Sequence, residues 1–173
     1  MIFTLYSVII LNRVIDMKKN ENLSYIILII LVILIRTFII TPIKVNGRSM
    51  NNTLENGFIM ILNKFDKNYK RYDIVVLKRN NEKLIKRVIA LPNEDIEYKN
   101  NKLYINNKLV NKKYGIGSTT NFKDYCADNE YFVMGDNREN SFDSRAFGCV
   151  NKKDIIGKTN LVLFPLNKIG IVK

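Results

Sequence analysis

The first strong pattern in the chain is an uninterrupted apolar run from Leu23 to Ile40. Its eighteen residues would form a helix of roughly 27 Å, close to the roughly 30 Å of hydrocarbon in a bilayer. The run contains one charged residue, Arg36, which lies near its end and can extend its side chain outward. A chain of this size could not surround such a helix in a core. We therefore predict a transmembrane helix over residues 23–41, retained as an anchor because no small-x-small cleavage site follows Ile40.

A second apolar stretch precedes this run, over residues 1–12, and is too short to span a bilayer. Met17-Lys18-Lys19 then has the composition of a normal start before a membrane anchor. We hypothesise that translation begins at Met17, and we predict that residues 1–22 form a short N-terminal segment on the cytoplasmic side.

After Pro42 the apolar positions become short runs and alternations that are typical of β-strands. The predicted strands are 73–77, 84–91, 95–98, 102–105, 108–110, 131–134, 155–157 and 160–164. Two asparagine pairs, Asn100-Asn101 and Asn106-Asn107, separate consecutive strands and tolerate the left-handed conformation of tight hairpin turns. The fold class is therefore mostly β, with an N-terminal transmembrane helix followed by a single antiparallel β domain over residues 42–173.

The composition of the chain limits the kinds of functional site it can have more than it limits the fold. The 173 residues carry a net charge of +12, but the lysines are scattered, which favours a solvated surface over a nucleic-acid site. Contact of a basic face with anionic lipid headgroups remains an alternative. The chain has no histidine, so a serine nucleophile would need another base, and lysine is the known substitute. The two cysteines, Cys126 and Cys149, could form one bridge if the domain lies outside the cytoplasm.

Four segments carry the candidate chemistry, and they occur in a fixed order behind the apolar run. They are Ser49-Met50-Asn51-Asn52-Thr53-Leu54, Arg71-Tyr72-Asp73-Ile74-Val75-Val76, Leu84-Ile85-Lys86-Arg87-Val88, and Gly135-Asp136-Asn137-Arg138-Glu139-Asn140-Ser141-Phe142-Asp143-Ser144-Arg145. Together they resemble the conserved boxes of the bacterial type I signal peptidases, and the last box is long and specific. The resemblance covers the chain from the anchor to about Gly157.

This resemblance implies a membrane-bound serine endopeptidase that removes signal peptides after small-x-small sites through an acyl-enzyme. Ser49 would be the nucleophile and Lys86 the general base, with the catalytic domain on the outer side of the bacterial cytoplasmic membrane. The expected partners are preprotein signal peptides, the lipid bilayer and the secretion translocon, with no nucleic acid. We predict no cofactor, no metal and no nucleotide.

The resemblance also assigns supporting residues. The Ser141 hydroxyl would hydrogen-bond the Lys86 amine, and Asp136 would pair with Arg87. Asp143 and Arg145 stand two apart on what we predict to be an extended segment, so they share a face and would pair to hold their loop. Residues that match the family's peptide pockets are Val45, Met50, Leu54, Leu84 and Ile85. For Leu54 and Leu84, simple core packing is an equally simple interpretation.

The dyad makes a physical demand on Lys86. A free lysine has a pKa of about 10.4, and lowering it to about 8 requires roughly 3 kcal/mol of preference for the neutral amine. We expect an apolar slot walled by Ile85, Val88 and Met50, with few cations nearby. The neighbouring Arg87 should face the other way, since side chains alternate along a strand.

Departures from the family pattern occur at turn positions. Asn52 stands where the family has proline, Asn93 and Asn129 stand where it has glycine, and Gly47 replaces a serine whose hydroxyl can assist the oxyanion. Three alternatives stay open: a self-cleaving repressor-type protease, an inactive membrane-anchored binding homologue, and a specialised processing peptidase of the same family. The predicted anchor argues against the first, and the joint presence of Ser49, Lys86 and Ser141 argues against the second.

Overall fold

A computed structural model describes residues 21–38, 40–110 and 114–172, which divide into two units, Met1–Ile39 and Ile40–Lys173. The described part of the first unit is helix α1 (Glu21–Phe38), whose apolar side chains from Leu23 to Leu34 are exposed. Within the described residues no helix reaches the length and apolarity needed to cross a membrane. Residues 1–20, which include Met17 and most of the predicted N-terminal segment, lie outside the described residues.

The second unit is built from antiparallel strands in two sheets. Its strands are β1 (Ile40–Lys44), β2 (Ile59–Asn63), β3 (Ile74–Arg79), β4 (Glu82–Ala90), β5 (Glu94–Lys99), β6 (Lys102–Ile105), β7 (Lys108–Val110), β8 (Phe122–Cys126), β9 (Glu130–Met134), β10 (Val150–Asn151), β11 (Ile155–Phe164) and β12 (Gly170–Ile171). The larger sheet has the order β1-β2-β11-β3-β4-β9-β10, with β12 paired to β11, and the smaller sheet has the order β7-β6-β5-β8. The prediction of a mostly β, antiparallel architecture is confirmed.

Short helical turns complete this unit. Helix α2 (Ser144–Phe147) is a single turn, and 3-10 turns lie at Arg138–Asn140, Lys152–Asp154 and Leu166–Lys168.

The predicted asparagine turns are confirmed by their backbone angles. Asn100 and Asn101 have φ of 51° and 57°, and Asn106 and Asn107 have φ of 49° and 62°. These left-handed pairs connect β5 to β6 and β6 to β7, and the register of each hairpin follows from them.

Several strands were not predicted, and one prediction was too fragmented. β1, β2, β8 and the two-residue strands β10 and β12 were missed, and β1 begins at Ile40, inside the segment that we assigned to the membrane helix. Residues 155–157 and 160–164 belong to one ten-residue strand, β11, which has register shifts at Thr159/Leu161 and Val162/Phe164. Gly157 keeps this strand continuous, because a Cβ there would lie 2.2 Å from the Asn63 carbonyl oxygen of β2.

Apolar side chains form three buried clusters, and two of them share the central strand β3. Ile74 and Val76 face a first cluster with Met50, while Val75 and Leu77 face another with Val88. The remaining cluster lies beneath the smaller sheet and includes Cys126. Because β3 is covered on both faces, the adjacent strand β4 is held firmly, and it carries the lysine of the predicted dyad.

Candidate active site

Ser49 lies in a tight turn just after β1, and its neighbours hold that turn in place. Met50 and Leu54 are buried in the first cluster, and the Leu54 N–H donates to the Met50 carbonyl at 2.8 Å. The carbonyl of Ser49 accepts from the Asn137 N–H at 3.0 Å, which ties the turn to the fourth box. The Ser49 side chain itself stays partly exposed. A serine fixed through its backbone, with its hydroxyl accessible, has the arrangement that a nucleophile requires.

Lys86 projects from β4 toward this serine, and its Nζ lies 2.7 Å from Ser49 Oγ. The side chain is 3% exposed. Burial lowers the pKa of Lys86 to about 8, while Asp143 acts to raise it and Arg145 to lower it. Arg145 is thus a cation near the amine, although we expected few there. Burial is the larger cause, as the apolar-slot prediction required.

The opposite face of β4 carries a buried ion pair. Arg87 is fully buried and donates to Asp136 through Nε at 2.9 Å and Nη2 at 2.7 Å. Asp136 also accepts from the Thr53 hydroxyl at 2.6 Å, and Arg87 donates to the Tyr72 carbonyl at 2.8 Å. This pair connects the serine turn, β4 and the fourth box behind the Ser49–Lys86 contact.

The loop after β9 brings Asp143 and Arg145 together. Arg145 donates to both carboxylate oxygens of Asp143 at 2.8 Å, in a bidentate pair. We expected this pair on an extended segment, but Asp143 instead caps the N-terminus of α2 and Arg145 is the second residue of that helix. Burial raises the pKa of the Asp143 carboxyl, but hydrogen bonds from Arg145 and the Gly135 N–H outweigh it, so the net shift is downward.

Ser141 departs from the sequence expectation. Its Oγ is buried and has no hydrogen-bond partner among the described residues, so the predicted bond to Lys86 is absent. The hydroxyl lies near enough to Asp143 to help lower its pKa, without the distance and angle of a hydrogen bond. A Cβ at Gly135 would lie 2.3 Å from Ser141 Oγ and 2.5 Å from the Ser49 carbonyl oxygen. Gly135 therefore lets Ser141 pack close to the serine turn.

A groove of about 620 Å³ opens between the edge strand β1 and the start of β4. Leu84 and Ile85, two of the residues predicted to bind the peptide, line this groove together with Ile43 and Lys44, which the sequence did not single out. The missed signal is Pro42 in β1, because a proline within a strand indicates an edge.

Three other predicted pocket residues do not face this groove. Val45, Met50 and Leu54 are at most 2% exposed and pack in the first cluster, so the structure favours a packing role for them.

The asparagines that replace the family's usual residues have positive backbone φ angles. Asn93 and Asn129 have φ of 62° and 60°, so asparagine occupies left-handed positions where the family has glycine. Asn52 has φ of 84°, which proline cannot adopt, so the turn after Ser49 differs there from the family pattern. Among the described residues, no cluster of three or more cysteine or carboxylate side chains is arranged to hold a metal ion.

Comparison with known proteins agrees with this arrangement. The profile of the family described as "Signal peptidase, peptidase S26" matches residues 19–164, which include Ser49, Lys86 and the whole fourth box. The chain belongs to the signal peptidase family. A curated relative, signal peptidase I P of Bacillus subtilis subsp. natto, is 43% identical over 91% of this chain and 98% of its own length.

Two further signal peptidases are similar to this chain, over different shares of its length. Signal peptidase I of Bacillus amyloliquefaciens is 41% identical over 90% of this chain and 95% of its own length. The crystallised chain of a signal peptidase I from Enterococcus faecalis is 31% identical in sequence to this chain. The match covers 53% of this chain and 96% of the crystallised chain, with a TM-score of 0.48.

Proposed function

We propose that this chain cleaves signal peptides from exported preproteins, with Ser49 as nucleophile and Lys86 as general base. The observation that carries the proposal is the 2.7 Å contact between Lys86 Nζ and Ser49 Oγ, made by an amine that is almost fully buried. In its neutral form this amine accepts the serine proton as Oγ attacks the scissile carbonyl carbon.

Lys86 Nζ then carries each proton that the reaction moves. The ammonium formed on Lys86 donates its proton to the departing amine of the mature protein, which leaves an acyl group on Ser49. Neutral Lys86 next takes a proton from water as the water oxygen attacks the ester carbon. The ester C–O bond then breaks, Lys86 returns its proton to Ser49 Oγ, and the signal peptide leaves as the free acid. The Ser49 N–H donates to no acceptor among the described residues and is available to the developing oxyanion.

Substrate binding would use the groove beside β1. β1 stands at the end of the strand order of the larger sheet and pairs with β2, and an extended peptide can add to such an edge strand. Alternate side chains of that peptide point the same way, so residues one and three before the cut would face the same wall. Leu84 and Ile85 both line the groove, but their side chains pack against different clusters. Ile85, on the face of the first cluster, is our candidate for that wall, and a shallow pocket there would select small residues.

We extend the proposal to the membrane. The exposed apolar side chains of α1 support an anchor over residues 23–41, with residues 42–173 as the catalytic domain outside the cytoplasm. A second exposed apolar set, with exposures from 50% to 75%, lies where β11 ends and β12 begins; its members are Phe164, Leu166, Ile169 and Ile171. The disulfide between Cys126 and Cys149 is consistent with an oxidising compartment. Contact with the secretion translocon is part of the proposal, because exported substrates emerge there.

Location can be tested apart from chemistry. Membranes from cells that express the full chain are washed with alkaline carbonate, and intact cells without their wall are treated with protease. An anchored outer domain stays with the membrane and is digested from outside. Release by carbonate, or protection of the domain in intact cells, would contradict the membrane proposal.

The chemistry is tested with a preprotein that has an Ala-x-Ala site, in detergent. The full chain should cut after the second alanine, and S49A and K86A should not. If K86A cuts as well as the unaltered chain, another group is the base. If the unaltered chain leaves every such preprotein intact, the inactive-homologue alternative stands.

A further inference from the structure

The two cysteines of the chain are joined to each other, and the bridge adjoins the active-site loop. Cys126 ends β8 in the smaller sheet and is fully buried in the cluster beneath that sheet. Cys149 is partly exposed and lies two residues after α2 ends. The bond therefore joins the smaller sheet to the end of the loop that carries Ser141, Asp143 and Arg145.

The two ends of this loop are held in different ways. At its start, the Gly135 N–H donates to Asp143 Oδ2 at 2.9 Å, and the Val133 N–H donates to Ser144 Oγ at 3.0 Å. At its end the backbone pairs with β9 through the two residues of β10. Helix α2, with four residues, is too short to be stable by itself. The disulfide adds a covalent attachment at this end.

We propose that the Cys126–Cys149 disulfide is a positioning element for catalysis, which keeps the loop of residues 135–149 packed over the Ser49–Lys86 contact. The inference deepens the proposed function and rests on it. Neither sulfur touches substrate; the effect passes through the loop.

The charged groups around Lys86 explain why loop position matters. Asp143 and Arg145 act on the amine from the loop with opposite signs, so their effects partly cancel. Arg87, its neighbour on β4, is turned to the other face and paired with Asp136. Burial remains the main cause of the lowered pKa. A loop that moves away admits water to the amine, and the pKa of Lys86 then rises toward its ordinary value.

Loss of the disulfide should lower kcat/KM by an amount that depends on pH, whereas general damage to the fold would lower it equally at all pH values. If the pKa of Lys86 rises from about 8 to about 9, the neutral fraction falls about eightfold at pH 7.5 but only about 1.3-fold at pH 9.5. We expect C126A/C149A, as the full chain in detergent, to lose about eightfold in kcat/KM at pH 7.5. Most of that loss should disappear by pH 9.5, and KM should change little.

Reduction provides a second route to the same state. Dithiothreitol, a dithiol, gives two electrons and two protons to the S–S bond and closes to its own cyclic disulfide, which leaves two protein thiols. Treatment of the unaltered chain should reproduce the pH-dependent loss. The same treatment should leave C126A/C149A unchanged.

The matched control is L103A, because Leu103 is buried in the same cluster as Cys126 but belongs to β6, away from the loop. It should lower resistance to urea and keep the unaltered pH profile. If C126A/C149A has the unaltered profile, or loses activity equally at all pH values, the positioning role is refuted. If the unaltered chain itself shows no rise in activity with pH, the Ser49–Lys86 proposal fails first, and this inference fails with it.

Discussion

Burial of Lys86 should make the native protein less stable than it would be with an apolar side chain there. The native pKa of about 8 lies below the ordinary value of 10.5, so the native state disfavours the charged amine. At about 1.4 kcal/mol for each pKa unit, this difference corresponds to about 3 kcal/mol. The test variant is K86M, which keeps the length of the side chain and removes the amine. It should lose activity and gain stability near neutral pH.

The stability that K86M gains over the unaltered chain should shrink as the pH rises. Below about pH 8 Lys86 is protonated in both the native and the unfolded state, so burial of the charged amine destabilises the native state by the full amount. Between about 8 and 10.5 the unfolded chain keeps a proton that the native state has released, so the stability of the unaltered protein rises with pH. Above pH 10.5 Lys86 is neutral in both states, and this destabilisation disappears. The difference in unfolding free energy between K86M and the unaltered chain should therefore shrink by about 2–3 kcal/mol from pH 7 to pH 10.

Loss of the hydrogen bond to Ser49 lowers the stability of K86M by about 1 kcal/mol, but this contribution does not change the slope with pH. Urea unfolding of the full chain in detergent, followed by far-ultraviolet circular dichroism, measures the difference; tyrosine emission is unsuitable because tyrosine ionises near pH 10. K83M is the control, because Lys83 lies exposed on the same strand. A difference for K86M that stays constant from pH 7 to pH 10 would refute the reasoning.

Two further substitutions test the support around the dyad. D136A leaves Arg87 buried without its partner and should lower the free energy of unfolding by about 3–5 kcal/mol, while D136N should cost less; equal urea midpoints for D136A and the unaltered chain would contradict this. G135A places a methyl group 2.3 Å from Ser141 Oγ and 2.5 Å from the Ser49 carbonyl, so kcat should fall at least tenfold as the serine turn shifts. Unchanged kcat in a folded G135A would show that the turn tolerates the displacement.

The resemblance to the family's boxes predicted the dyad, and strand alternation predicted how its lysine and the neighbouring arginine would face. Once Lys86 and Arg87 are placed on one strand, their side chains must face opposite ways, and the structure has one on Ser49 and the other on Asp136. The need for a buried amine followed from the pKa of lysine alone.

The details that the sequence could not decide depend on tertiary packing. Apolar residues such as Met50 and Leu54 suit a peptide pocket and a core equally well, and sequence cannot tell which surface covers them. Whether the Ser141 hydroxyl reaches Lys86 depends on how the loop after β9 packs, which a resemblance between boxes does not specify. The Cys126–Cys149 bond, which the sequence left as a possibility, is present in the structure, where Cys126 ends β8, a strand that sequence reasoning missed.

The pH dependence of kcat/KM on a preprotein with an Ala-x-Ala site tests the central claim most directly. A rise with pH through an apparent pKa of about 8, abolished in K86A and S49A, is the result that a buried lysine base predicts. A rate that stays flat from pH 6 to pH 10, or that rises only near the pKa of free lysine, would contradict the proposal that burial tunes Lys86 for catalysis.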